Sequence, residues 1–253
     1  MATITERRRL IGHLLDERQP ADAMAAYFAF YHAAERTRLV TFPAGAARAQ
    51  GYIALSRTGM DLFRPLLTLR LPPDMAQATA LIYEALRPKT VTSAGSAPAV
   101  ILSTPPRYMP LLRACFAIQR EEQLQIMTLE PARFEPVINV LVTQEAGVNG
   151  RPRFVIRNHS AENEVVAAAS VNWLSPHFAE VAVNTQAGQR RRGYGRSVLA
   201  ALVNYLLGEG IRPLYVVGSN NTGSIHLART LGFVDTGSQT WLLDAVLRPL
   251  PDH

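Results

Sequence analysis

The sequence predicts a mixed α/β protein in which a mostly antiparallel sheet is flanked by helices, built as two successive halves of similar order. Three observations predict this. Short apolar segments bounded by Gly, Pro or Asp alternate with segments whose apolar residues recur at three-to-four spacing. The series three strands, helix, strand, helix, strand is read over 38–129 and again over 154–243. Between the two series the chain is punctuated by Pro131, Pro136 and the turn-rich stretch 146–152, and 253 residues is a length for one to two domains. The expected division is 1–135 and 136–253.

Residues 1–36 read as helical, with Leu10, Leu14 and Leu15 and then Met24, Tyr27, Phe28 and Tyr31 on the apolar face. The Arg7-Arg8-Arg9 run reads as a solvated face of that segment. Strands are expected at 38–42, 51–57 and 65–71, followed by a helix at 74–86 behind Pro72-Pro73. A polar loop at 89–98 leads to a strand at 99–103, a helix at 108–114 and a strand at 116–129. In the second half strands are read at 154–157, 165–174 and 178–185. They are followed by a helix at 197–207, a strand at 213–217, a helix at 222–231 and a closing strand or strand pair from 233. Val198, Leu199, Leu202, Val203 and Leu206 form the stripe that would dock the first of these helices on the sheet.

Composition narrows the function classes. With 48% hydrophobic and 18% charged residues the chain is globular rather than disordered. The lone cysteine, Cys115, can form neither an intramolecular disulfide nor a thiolate cluster, and no metal site is read. Glu6, Asp16 and Glu17 interrupt the apolar run that a leader would need, and no segment approaches the ~18 apolar residues of a membrane span, so a cytoplasmic protein with no membrane role is expected. The formal charge is +6, and Lys89 is the only lysine among the 26 lysine and arginine residues. Guanidinium forks suit phosphate. They also suit nucleic acid, but no basic and aromatic residues interleave as a stacking platform requires.

The chemistry is concentrated in Gln189-Arg-Arg-Arg-Gly-Tyr-Gly-Arg196, at the junction of an expected strand and helix. Gly193 and Gly195 let the backbone turn and approach a ligand closely, and the amides of a helix start point outward without partners. The helix dipole and Arg190, Arg191, Arg192 and Arg196 reinforce an anion cradle suited to a pyrophosphate. No Gly-Lys-Ser/Thr follows, so this is not a P-loop. No acidic residue closes the next strand at Val216-Val217-Gly218, which speaks against a dinucleotide-binding unit.

At these residues the chain resembles the GNAT superfamily of acyl-CoA-dependent N-acetyltransferases. Its Arg/Gln-x-x-Gly-x-Gly/Ala signature matches at Arg190, Gly193 and Gly195. A second block matches at Asn221, Ser224, Leu227 and Leu231-Gly232-Phe233. The resemblance covers roughly 137–245 and implies a GNAT-like fold binding acetyl-CoA. Two strands would splay apart, with Val183 and Thr185 beside the pantetheine. The pyrophosphate would lie on the amides of Arg191 to Ser197, Tyr194 included, and Asn221 and Ser224 would face the cofactor arm. A backbone N–H near Val183 would stabilise the oxyanion formed when a small-molecule or peptide amine attacks the thioester. Many members carry a tyrosine, able to protonate the leaving thiolate, where this chain has Ala228.

The best-placed base is Glu180, in the apolar stretch 178–183; pairing with an arginine or exposure at a strand edge is the competing reading. Trp173, His177 and Asn184 are candidates for lining an acceptor pocket. The rival function is an acyl-CoA-binding or regulatory protein without turnover, and a homodimer is kept open. The first half is expected to be a degenerate copy lacking a cofactor site, because Leu71-Pro72-Pro73-Asp74 replaces the glycine loop: proline has no N–H to donate, and Asp74 would repel a phosphate.

Overall fold

The computed structural model describes residues 3–59, 61–87, 97–158 and 163–250. Most of the loop read over 89–98 lies outside them. By its contacts the chain divides into two compact units. Residues 1–124 and 239–253 make the first unit, and 125–238 make the second. The closing segment therefore packs with the first unit, a long-range partnership that sequence order cannot register.

In the first unit the elements are α1 (Ile4–Ile11), α2 (Pro20–Ala26), β1 (Thr37–Phe42), β2 (Gly51–Ser56), β3 (Leu66–Arg70), α3 (Met75–Leu86), β4 (Ala99–Thr104), α4 (Met109–Cys115) and the start of β5 (Phe116–Leu129). The single helical segment read over 1–36 is broken. Thr3 opens α1 with a reciprocal capping box to Glu6, Pro20 starts α2, and α2 passes into a π-helical turn over Tyr27–Tyr31. The arginine run is not simply solvated. Arg7 reaches the Leu39 carbonyl at 3.0 Å, and Arg8 bonds the carbonyls of Ala29, at 3.0 Å, and His32.

The order β1-β2-β3-β4 has antiparallel pairs except β3 with β4, which are parallel. The 239–247 portion of the last strand, β11 (Phe233–Leu247), adds antiparallel to β4. Alternation along β2 and β3 gives two cores. Ile53, Leu67 and Leu69 pack with Leu81, Ile82 and Leu112 of α3 and α4, while Tyr52 and Ala54 pack with Ile11 and Ala26 of α1 and α2.

The second unit holds the remainder of β5, then β6 (Thr143–Ala146), β7 (Pro152–Arg157), β8 (Val165–Leu174), β9 (Phe178–Thr185), α5 (Tyr194–Gly208), β10 (Arg212–Gly218), α6 (Thr222–Thr230) and the start of β11. Its sheet runs β5-β10-β9-β8-β7-β6. All the pairs from β6 to β9 are antiparallel, and β9 with β10 is parallel. The predicted stripe Val198, Leu199, Leu202, Val203 and Leu206 is buried in the core beneath α5. The fold class is thus as expected, a mostly antiparallel sheet flanked by helices in two halves.

Candidate functional site

Strands β9 and β10 pair at Arg212↔Phe178, Pro213↔Ala179 and Leu214↔Glu180, and there the pairing stops. Residues 181–185 keep their partners on β8, so their other edge has no strand beside it. This is the splay that the resemblance implies. Val183 and Thr185 stand on its wall with side chains toward α5, because Val183 packs on the core under that helix and Thr185 shares its face by alternation.

The loop 186–193 ends on two left-handed residues, Arg191 with φ 61° and Gly193 with φ 79°. For a non-glycine residue that conformation is strained, so Arg191 marks a backbone held in place by its surroundings. Gly193 is the N-cap of α5 and offers no side chain to cap it. Helix α5 therefore starts at Tyr194, three residues before the expected 197. The Ser197 amide bonds the Gly193 carbonyl at 3.0 Å, whereas the amides of Tyr194, Gly195 and Arg196 precede the first intrahelical bond and have no helical partner. Gly195 sits against Thr185, Leu227 and Val183. Arg190 donates from Nε to the Thr185 carbonyl at 3.4 Å, so its backbone tie turns it along the loop. Among the described residues Arg191, Arg192 and Arg196 enter no ion pair.

Asn221 caps α6, its Oδ1 accepting the Ser224 amide at 3.1 Å. The Ser224 hydroxyl lies 2.6 Å from that of Tyr215, the first residue of β10 beyond the paired stretch. Sequence reading missed Tyr215, since only the fold brings β10 under the first turn of α6. Ala228 is fully buried in the core of this unit, so its methyl faces neighbouring apolar side chains rather than the open loop.

Glu180 is buried, and it lies on the β9 face opposite Val181 and Val183. No arginine pairs with it among the described residues. Instead its Oε1 accepts from Asn172 Nδ2 at 2.7 Å and its Oε2 accepts from Trp173 Nε1. Burial pushes its carboxyl above the usual range, and the two N–H donors oppose that rise. Of the other candidates, Asn184 is exposed and His177 sits in the turn before β9, its amide 3.4 Å from the Ser175 hydroxyl. Among the described residues no group of three His, Cys, Asp or Glu side chains is placed to hold a metal ion. An apolar cavity of about 890 Å³ lies in the first unit, between β1 and the outer face of α3, and contains none of these residues.

The comparisons with known proteins cover the same loop and helix. Residues 115–233 match the model of the acetyltransferase (GNAT) family. Over this stretch, a little under half of its length, the chain is similar to that family. Solved structures similar to the chain carry the same fold. A tandem GNAT protein from the clavulanic acid biosynthesis pathway is 13% identical, with a TM-score of 0.66 over 99% of this chain and 96% of that one. A GNAT-family acetyltransferase from Colwellia psychrerythraea is 14% identical, with a TM-score of 0.60 over 97% and 98%. A GCN5-related N-acetyltransferase from Sphaerobacter thermophilus is 13% identical, with a TM-score of 0.62 over 99% and 94%. No curated protein shows significant sequence similarity to the chain. The matched stretch ends at Phe233, where the α6 block that begins at Asn221 also ends.

Proposed function

We propose that the chain transfers an acetyl group from acetyl-CoA to a primary amine by direct attack on the thioester. The family and fold imply acyl-CoA-dependent acetyl transfer in general. The observation that carries the more specific reading is the junction of the β9/β10 splay with the free amides of Tyr194, Gly195 and Arg196. The residues fit the group: Gly195 lets the first turn of α5 lie so close to β9 that a Cβ there would stand 3.0 Å from the Thr185 hydroxyl oxygen, and among the described residues Arg191, Arg192 and Arg196, on the same loop and turn, enter no ion pair. Val183 and Thr185 would hold the pantetheine. The 191–196 amides, with Arg190 alongside, would take the pyrophosphate, the Ser197 amide being already bonded to the Gly193 carbonyl, and Asn221 and Ser224 would face the arm. When bound, acetyl-CoA supplies an activated acyl carbon and a thiolate leaving group.

An amine must lose a proton to attack, and Glu180 is the base in this reading. Its burial supports the role, because a desolvated carboxylate holds a proton more strongly than one in water. With Ala228 supplying no hydroxyl, CoA leaves as the thiolate or takes its proton from water. A cytoplasmic setting is part of the proposal; no helix among the described residues is long and apolar enough to cross a membrane.

The test is a screen of amino acids, polyamines, aminoglycosides and peptide N-termini, followed by release of free CoA thiol, with acetyl-CoA binding measured by calorimetry. Thiol release with at least one amine is expected. Binding without release on any of them would transfer the chain to the rival class, an acyl-CoA-binding or regulatory protein.

A further inference from the structure

Strand β8 carries a register shift opposite β9: Val171 pairs with Val181, Trp173 pairs with Glu180, and Asn172 is the extra residue between them. In a regular strand neighbouring side chains point to opposite faces, so Asn172 and Trp173 could not both reach one group. The bulge removes that restriction, and each side chain donates an N–H to a different oxygen of the same carboxylate, Asn172 to Oε1 and Trp173 to Oε2. The Asn172 carbonyl itself accepts from the Arg151 guanidinium. Both side chains at the irregularity thus converge on Glu180.

Resting on the reading of Glu180 as the base, we propose that Asn172 and Trp173 are positioning residues that hold the Glu180 carboxylate ionised and fixed in orientation for removal of the amine proton. A carboxylate has about four lone-pair sites. The clamp occupies two and leaves the others for the amine or an intervening water. Neither donor titrates near neutrality, so the clamp persists at every pH where the base works. The charged or titratable groups on the surrounding elements are His177 before β9, Arg151 on the Asn172 carbonyl, and Arg212 of β10, whose guanidinium lies 4.2 Å from the centre of the Phe178 ring. Burial and the two donors, not these groups, set the proton affinity of Glu180.

The experiment uses the full chain with Asn172→Ala, Trp173→Phe and Glu180→Gln. Glu180 is titrated by carbon-13 NMR, and kcat and kcat/KM are followed against pH with the best amine of the screen. Asn172→Ala and Trp173→Phe should each raise the Glu180 midpoint and move the acid limb of the rate profile to higher pH by the same amount. The expected fall in kcat is about tenfold at neutral pH, with the KM for acetyl-CoA unchanged. The inference is overturned if the midpoint stays in place in both variants, or if it moves and the acid limb does not follow. Asn172→Ala trims a side chain at the exposed bulge, so it keeps the test open should Trp173→Phe fail to fold. Wild-type turnover by Glu180→Gln would instead sink the reading of Glu180 as base, whatever the titration shows.

Discussion

A methyl group on Gly195 would stand 3.0 Å from the Thr185 hydroxyl oxygen, with Leu227 Cδ2 at 3.6 Å and Val183 Cγ2 at 3.7 Å behind it. Strand β9, the first turn of α5 and the middle of α6 meet at this one hydrogen-bearing carbon. Gly195→Val should therefore push the first turn of α5 away from β9 at the splay and weaken acetyl-CoA binding about tenfold or more, with the far-ultraviolet spectrum retained. Gly193 differs in kind. A Cβ there meets nothing within 4 Å, but φ is 79°. Gly193→Ala should cost about 1 kcal/mol of stability through backbone strain alone, read as a lowered midpoint in chemical denaturation.

Charge reversal at the loop separates phosphate recognition from the rest of the site. Arg191→Glu with Arg192→Glu should reduce affinity for acetyl-CoA several-fold, and the loss should shrink as salt is added. Acetyl-pantetheine, which lacks the phosphates, should bind the variant and the wild type alike. Equal losses for both ligands in calorimetry would take these arginines out of the cradle.

Ala228 stands where the resemblance implies a tyrosine, and it has no exposed surface. Ala228→Tyr should overpack the core around α6 and cost about 1–3 kcal/mol. Thermal unfolding would show this, and an enhanced rate at high pH in an equally stable variant would contradict it.

The glycine loop, the splay strands and the α5 stripe were legible because each rests on local chemistry: glycine conformational freedom, apolar alternation and helical spacing. The start of α5 was misplaced by three residues because Tyr194, Gly195 and Arg196 read as loop, whereas the left-handed Gly193 lets the helix begin directly after it. The Asn172–Trp173 clamp was illegible. It depends on a bulge, and a one-residue register shift has no signature in Ser170-Val171-Asn172-Trp173 itself. Arg7 and Arg8 were misread for a related reason. Their partners, the carbonyls of Leu39, Ala29 and His32, come near them only after the chain has folded back. The same holds for 239–247, which reads as a continuation of the second half but forms its ladder with β4.

Glu180 gives stability a definite pH dependence. Burial raises its folded-state pKa above the ordinary 4.5. Below that ordinary value the group is protonated in both states and its contribution is fully present. As pH rises, the unfolded chain releases the proton first, and the contribution declines until the raised folded pKa is passed. Glu180→Gln cannot titrate. The melting temperature of the wild type relative to Glu180→Gln should therefore fall as pH climbs from the carboxylate range toward neutrality, and a difference that rose or stayed level would contradict the assigned direction.

Tyr108 closes the first unit's counterpart of the splay. There β3 and β4 pair in parallel through Leu66↔Ile101, Leu67↔Leu102 and Thr68↔Ser103, and the pairing ends as it does in the second unit. Beyond that point the Leu71 amide donates to the Tyr108 hydroxyl at 3.2 Å, so a side chain of the protein satisfies backbone that a ligand would otherwise meet. At the adjoining helix start, Asp74 Oδ1 accepts the Gln77 amide at 2.8 Å, and its carboxylate stands where a phosphate would have to go. Two independent obstacles therefore exclude a second cradle, and removing one should not create it. Tyr108→Phe should destabilise the chain by about 1 kcal/mol through the lost acceptor at Leu71. Calorimetric titration with acetyl-CoA should give one site per chain in both the wild type and this variant; two sites in either would show that the first unit retains a working cradle.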